Sequence, residues 1–125
     1  MAAKTSEWSR QALAASYAGV AAFQVALAAG APWGAAAWGG ANEGVLPTGF
    51  RIGSVISAGL WGAAAASLGT SWGGPRRRRQ VLAVLTVLAP VSLVMNLVTP
   101  SPVERAIWGP ICAAQTVLVL LARRD

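Results

Sequence analysis

Residues 99–110 read TPSPVERAIWGP, a short polar break between two long apolar runs. Ser101 is a good helix N-cap, because its hydroxyl accepts from an orphan backbone N–H of the first turn. Pro102 suits the first helical position, where no N–H is needed and φ is already near the helical value. Glu104 then stands at the third helical position. The spacing Ser-x-x-Glu is that of a capping box, in which hydroxyl and carboxylate each satisfy a backbone donor. The carboxylate also sits at the positive end of the helix dipole. A helix therefore starts just after Ser101. With only TPSP before it, the two apolar runs fold back on each other as a tight antiparallel hairpin.

Working outward, four segments read as membrane helices: 13–31, 52–69 (IGSVISAGLWGAAAASLG), 81–98 (VLAVLTVLAPVSLVMNLV) and 103–122 (VERAIWGPICAAQTVLVLLA). Each is near the roughly 20 residues that cross a hydrocarbon core about 30 Å thick. A soluble Ala-rich bundle would show a charged stripe along each helix, and none is present. A cleaved leader is the other reading of the first run, with Lys4 and Arg10 as its basic region. That run is longer than the usual 7–15 apolar residues of a leader.

Composition agrees. Of 125 residues, 55% are hydrophobic and 11% charged, against about 25% charged in soluble domains. There is no His and one Cys, Cys112. That excludes His-based catalysis, an internal disulfide and a thiolate zinc cluster. The acids are Glu7, Glu43, Glu104 and Asp125. The net charge of +6 does not point to nucleic acid, because the basic residues flank apolar runs and no basic face interleaves with aromatics.

Lys and Arg also set the direction. Lys4, Arg10, Arg76 to Arg79, Arg123 and Arg124 fall on one side, eight residues, and only Arg51 and Arg105 on the other. The positive-inside rule places both termini and the RRRR loop in the cytoplasm. RRRR is read first as a topology anchor, with contact to anionic lipid head groups as the alternative. The outer loop PWGAAAWGGANEGVLPTGFR, residues 32–51, carries Trp33 and Trp38, suited to the membrane interface. Its AAAW portion suggests a short surface helix, and Asn42-Glu43-Gly44 a turn.

The outer side holds four charges: Glu43, Arg51, Glu104 and Arg105. A cation near a helix N-terminus, as Arg105 is, opposes the dipole unless it has a partner. Pairing of Arg105 with Glu43, or of Arg51 with Glu104, is expected as a clamp between the hairpins. An anion or head-group site using one Arg is the sharper alternative.

Within the spans, polar residues recur on single faces: Tyr17 and Gln24; Arg51, Ser54, Ser57 and Trp61; Ser92 and Asn96; Trp108, Cys112 and Gln115. In lipid they should face the interior and bond between helices. They also allow a polar cavity opening outward, lined by Asn96, Trp108, Gln115 and Arg105. Cys112 reads as a packing residue, since no base accompanies it. Pro90 and Pro110 are expected to perturb their helices. Gly59/Ala63 and Gly62/Ala66 are small-x-x-x-small pairs suited to close helix contact.

GAPWGAAAWGG at 30–40, GVLP at 44–47 and NLVTPSPVERAIWGP at 96–110 give the chain a pattern that resembles a group of small bacterial four-span membrane proteins of unknown function. The resemblance covers most of the chain, implies a four-helix integral membrane protein and supplies no activity. The small multidrug exporters fit poorly, since they rely on a Glu in the first span. Fluoride channels fit poorly because they carry little Lys/Arg bias, and thiol–quinone enzymes because they need paired cysteines.

The expected fold is therefore all-α, a four-helix transmembrane bundle of two antiparallel hairpins in one domain, 1–125, in the bacterial inner membrane. The first functional expectation is a non-enzymatic accessory protein acting through an outer Trp/Arg/Glu surface. Membrane lipids, a second copy or a partner membrane protein are its expected contacts, with no cofactor, metal or nucleic acid. The second is a small transporter or channel subunit whose outward cavity binds an anion or lipid head group. Trp33, Glu43, Arg51, Asn96, Glu104, Arg105, Trp108 and Gln115 are the candidate residues for either.

Overall fold

The structure, a computed structural model, describes residues 2–124. They form four helices, α1 (Ala2–Ala28), α2 (Thr48–Gly69), α3 (Gly74–Val98) and α4 (Pro102–Ala122). Two short 3-10 turns, Gly34–Ala36 and Trp38–Gly40, stand where the sequence suggested one surface helix. All four helices are long and apolar enough to cross a membrane. This is a multi-pass, all-α bundle. The termini and the α2–α3 turn share one end, the termini end; the 3-10 turns and the α3–α4 turn share the other, the loop end.

Helix α1 begins at Ala2, well before the apolar run at Leu13, and α2 at Thr48 rather than Ile52; two further differences in the helix limits have a local cause. The first run continues to Ala31, yet α1 stops at Ala28. Gly30 adopts φ +103, which only glycine takes without strain. Its N–H bonds to the Leu27 carbonyl at 3.1 Å, and the Ala31 N–H bonds to the Ala26 carbonyl at 2.9 Å. That double bond is the Schellman stop signal. At the other place, the four arginines expected in a loop lie in the first turns of α3. Gly73, at φ +79, turns the chain, and Pro75 in the first turn is preset for a helix. Arg77 lies over the Trp72 ring at 4.2 Å, and Arg78 Nη2 donates to the Thr70 carbonyl at 3.2 Å. Both contacts offset the poor fit of cations at a helix N-terminus. α3 and α4 continue through Pro90 and Pro110.

Apolar packing concentrates at the termini end. Leu13, Ala14 and Tyr17 of α1 meet Leu68 of α2, Leu82, Leu85 and Ala89 of α3, and Val119 and Ala122 of α4. Small residues bring α1 and α2 close: a Cβ on Gly69 would lie 3.1 Å from the Ala14 methyl, and one on Gly62 4.0 Å from the Ala21 methyl. Gly59 has open space beside it instead. Polar groups close the same end, with the Ser6 hydroxyl donating to the Ala122 carbonyl at 3.0 Å. The outward faces of α2 and α3 expose Ile52, Val55, Ile56, Val84, Val87 and Val94, as lipid rather than water as solvent requires.

Toward the loop end this core gives out. A smaller cluster, Leu27, Ala37 and Leu46 with Phe23 against it, seats the 3-10 turns on α1. Beneath those turns the bundle is open.

Candidate functional site

The start of α4 is built largely as its sequence suggests. Ser101 Oγ accepts from the Glu104 N–H at 3.2 Å. The reciprocal half of the capping box is absent. The Ser101 N–H goes to Thr99 Oγ1 at 3.3 Å, and Glu104 Oε1 accepts from the Thr99 hydroxyl at 2.7 Å. Thr99 thus stands between the two box residues, and the carboxylate is turned inward, with Glu104 only 8% exposed.

The same turn fastens the long loop. Ser101 Oγ donates to the Ala35 carbonyl at 2.7 Å, and Trp108 Nε1 donates to the Ala36 carbonyl at 2.7 Å. Both carbonyls belong to the first 3-10 turn and have no backbone donor among the described residues. The approach is tight. A Cβ on Gly40 would lie 2.5 Å from Ser101 Cβ, and one on Gly34 1.7 Å from the Asn42 carbonyl oxygen. Trp38 closes the second turn over α2, donating from Nε1 to Ser54 Oγ at 3.1 Å.

The loop-end charges do not pair. Among the described residues no ion pair joins Glu43 or Glu104 to Arg51 or Arg105. Arg51 Nε donates to the Ala28 carbonyl at 3.0 Å, so it caps the C-terminus of α1. Arg105 Nη1 donates to the Thr99 carbonyl at 2.5 Å, just past the end of α3. Arg10 Nη1 reaches the Leu68 carbonyl near the end of α2 in the same way. The physical reason is shared: helix C-termini leave carbonyls without donors and carry negative dipole charge. An arginine satisfies both needs at once. Glu43 stands exposed on the loop.

Below the fastened loop a cleft of about 760 Å³ opens between the helices. Rings dominate its walls. Tyr17 and Trp61 stack with centroids 4.8 Å apart, Phe23 meets Trp108 at 4.9 Å, and Trp38 roofs the α2 side. Gln24, Ser57, Asn96, Glu104 and Gln115 supply the polar wall. Asn96 Nδ2 donates to the Ser92 carbonyl at 2.8 Å and to Cys112 Sγ at 3.7 Å. Gln115 Nε2 donates to Ser16 Oγ at 3.2 Å. The buried Oε1 of Gln24 meets no donor.

Of the residues singled out in the sequence, Asn96, Glu104, Trp108 and Gln115 come together on this cleft. Trp33 stacks on Phe23 at 6.0 Å, behind the wall. Glu43, Arg51 and Arg105 do not line it. The cavity expected to hold Arg105 therefore holds Glu104 in its place. Phe23 is a wall residue that no sequence pattern marked; its position one residue before Gln24 was the available signal. Comparison of the chain with protein-family models, curated proteins and solved structures finds no match.

Proposed function

We propose that this chain is a non-enzymatic membrane protein that receives a small amphipathic molecule in its loop-end cleft, as a small transporter or channel subunit does. One observation carries the reading: a cleft of about 760 Å³ walled by five aromatic residues and a few amide, hydroxyl and carboxyl groups. Small-molecule sites are typically clefts of 300–1,000 Å³, mostly apolar, with a few placed polar groups. The alternative of an accessory protein acting through an outer charged surface has less support. Its arginines serve as helix caps, and Glu43 stands apart from them. The eight-to-two distribution of Lys and Arg favours both termini in the cytoplasm and the cleft at the outer leaflet, and the resemblance of the sequence favours the bacterial inner membrane as its setting.

Cysteine labelling tests this. In a Cys112→Ala background, Ser57→Cys on the cleft wall should react with an impermeant maleimide added to intact cells. Val55→Cys, on the outward face of α2, and Gln80→Cys, at the termini end, should stay unlabelled. An unreactive Ser57→Cys would mean that the cleft does not admit water-borne molecules, and a reactive Gln80→Cys would reverse the orientation.

A further inference from the structure

We infer that the occupant of the cleft is a small organic cation bearing an apolar ring, with the Glu104 carboxylate as its counter-charge. This rests on the cleft being a binding site, and names its ligand class.

The charges come first. Among the described residues Glu104 is the one Asp or Glu on the wall, and no Lys or Arg stands there. Arg105, next in the chain, is exposed and bonded to the Thr99 carbonyl. Among the described residues the carboxylate has one donor, the Thr99 hydroxyl on Oε1, and its other oxygen opens on the cleft. A carboxylate on a mostly apolar wall is favoured by a paired cation. The helix dipole and one hydroxyl meet part of that need, and a bound cation would meet the rest.

Hydrogen bonding on the wall does not oppose this. Trp38, Trp108, Asn96 and Gln115 donate within the protein, to Ser54, Ala36, Ser92 and Ser16, while the Tyr17, Ser57 and Ser92 hydroxyls and the Trp61 indole N–H stay available on the wall. The Glu104 carboxylate has room for more than one partner. An anion would find no Lys or Arg among the described residues of the wall.

The rings complete the set. Tyr17, Phe23, Trp38, Trp61 and Trp108 line the cleft. Aromatic faces attract cations within about 6 Å of the ring, Trp most strongly, and the gain rises where water is excluded. The volume is far larger than an inorganic ion needs, and Glu104 stands on α4 while Tyr17 and Phe23 stand on α1. An organic ammonium with a ring or chain fits both facts.

The test uses purified protein in nanodiscs and three probes sharing one ring: benzyltrimethylammonium, benzyl alcohol and benzenesulfonate. Binding is read by calorimetry and by tryptophan fluorescence. The cation should bind saturably and about tenfold or more tighter than the alcohol, with the sulfonate weakest. Glu104→Gln should weaken the cation about tenfold and leave the alcohol unchanged, because it removes charge and keeps the Thr99 bond. If the Gln variant does not fold, the order of the three probes on the native protein decides. Equal or tighter sulfonate binding overturns the inference, as does a cation affinity unmoved in folded Glu104→Gln. Failure of the cation to saturate also overturns it, and the Ser57→Cys labelling then tells whether the cleft itself survives.

Discussion

The two ends of the gap between α2 and α3 are built on different chemistry. At the termini end the gap is an apolar slot of about 490 Å³ between Leu60, Ala64, Val84, Leu85 and Leu88, with Arg77 and Gln80 at its mouth. At the loop end it is the ring- and amide-lined cleft, and Trp61 borders both. An apolar slot in a bilayer needs nothing more, because lipid tails are as apolar as its walls. A polar gap does need more, since each unsatisfied group in lipid costs several kcal/mol. Both ends carry side-chain bonds to carbonyls, from Ser101, Trp108 and Arg51 at the loop end and from Ser6 and Arg10 at the termini end, but only the termini end adds a packed cluster of leucines beside its slot. One end fixes the helices, and the other holds a recognition surface open.

Substitutions can break or sharpen this contrast. The largest effect is expected at the filled end. Leu68 is fully buried, and Leu68→Ala should cost about 2–5 kcal/mol by the cavity it leaves. Reversible unfolding in mixed detergent measures it, and the loop-end bonds should survive in the folded fraction. A loss under 1 kcal/mol would mean that this end is not the anchor. Next is Gly34→Ala. Its Cβ would fall 1.7 Å from the Asn42 carbonyl oxygen, so the 3-10 turn must shift. We expect about 2 kcal/mol lost and weakened protection of the Trp108 indole N–H in hydrogen exchange. The smallest is a pair. Arg51→Gln should cost about 1 kcal/mol by uncapping α1, while Glu43→Gln changes stability by less than about 0.5 kcal/mol. A loss from Glu43→Gln as large as that from Arg51→Gln would restore the expected pairing of Glu43 with Arg105.

The capping box shows how far local reading reaches. Ser101 and Pro102 act within one turn of themselves, so the start of α4 follows from spacing alone. Glu104 stands at the third helical position as its spacing predicts, but its carboxylate leaves the box for the Thr99 hydroxyl and the cleft. The competing partner is five residues earlier, within the hairpin turn, where pattern rules for helix starts do not look. The arginines depart from the charge-pairing expectation for a related reason. Charge counting assumes that a cation seeks an anion, yet in lipid the end of every helix offers carbonyls that need donors. Arg51 and Ala28 are brought together only when α1 and α2 pack. Gly30 was legible in principle, as a glycine with Pro32 two residues on, but the apolar run masked the stop.

What the sequence determined by itself is what lies within a few residues along the chain: four apolar helices, their hairpin order, the α4 cap, and the amides and rings spaced on common faces. Those follow from hydrophobic length and periodicity, which need no partner. Only the tertiary structure decided which carbonyls the arginines cap, where apolar packing stops, and that Glu104 rather than Arg105 faces the cleft. Each of those depends on distances between residues as far apart in the chain as Ala36 and Trp108, and such distances are set by packing.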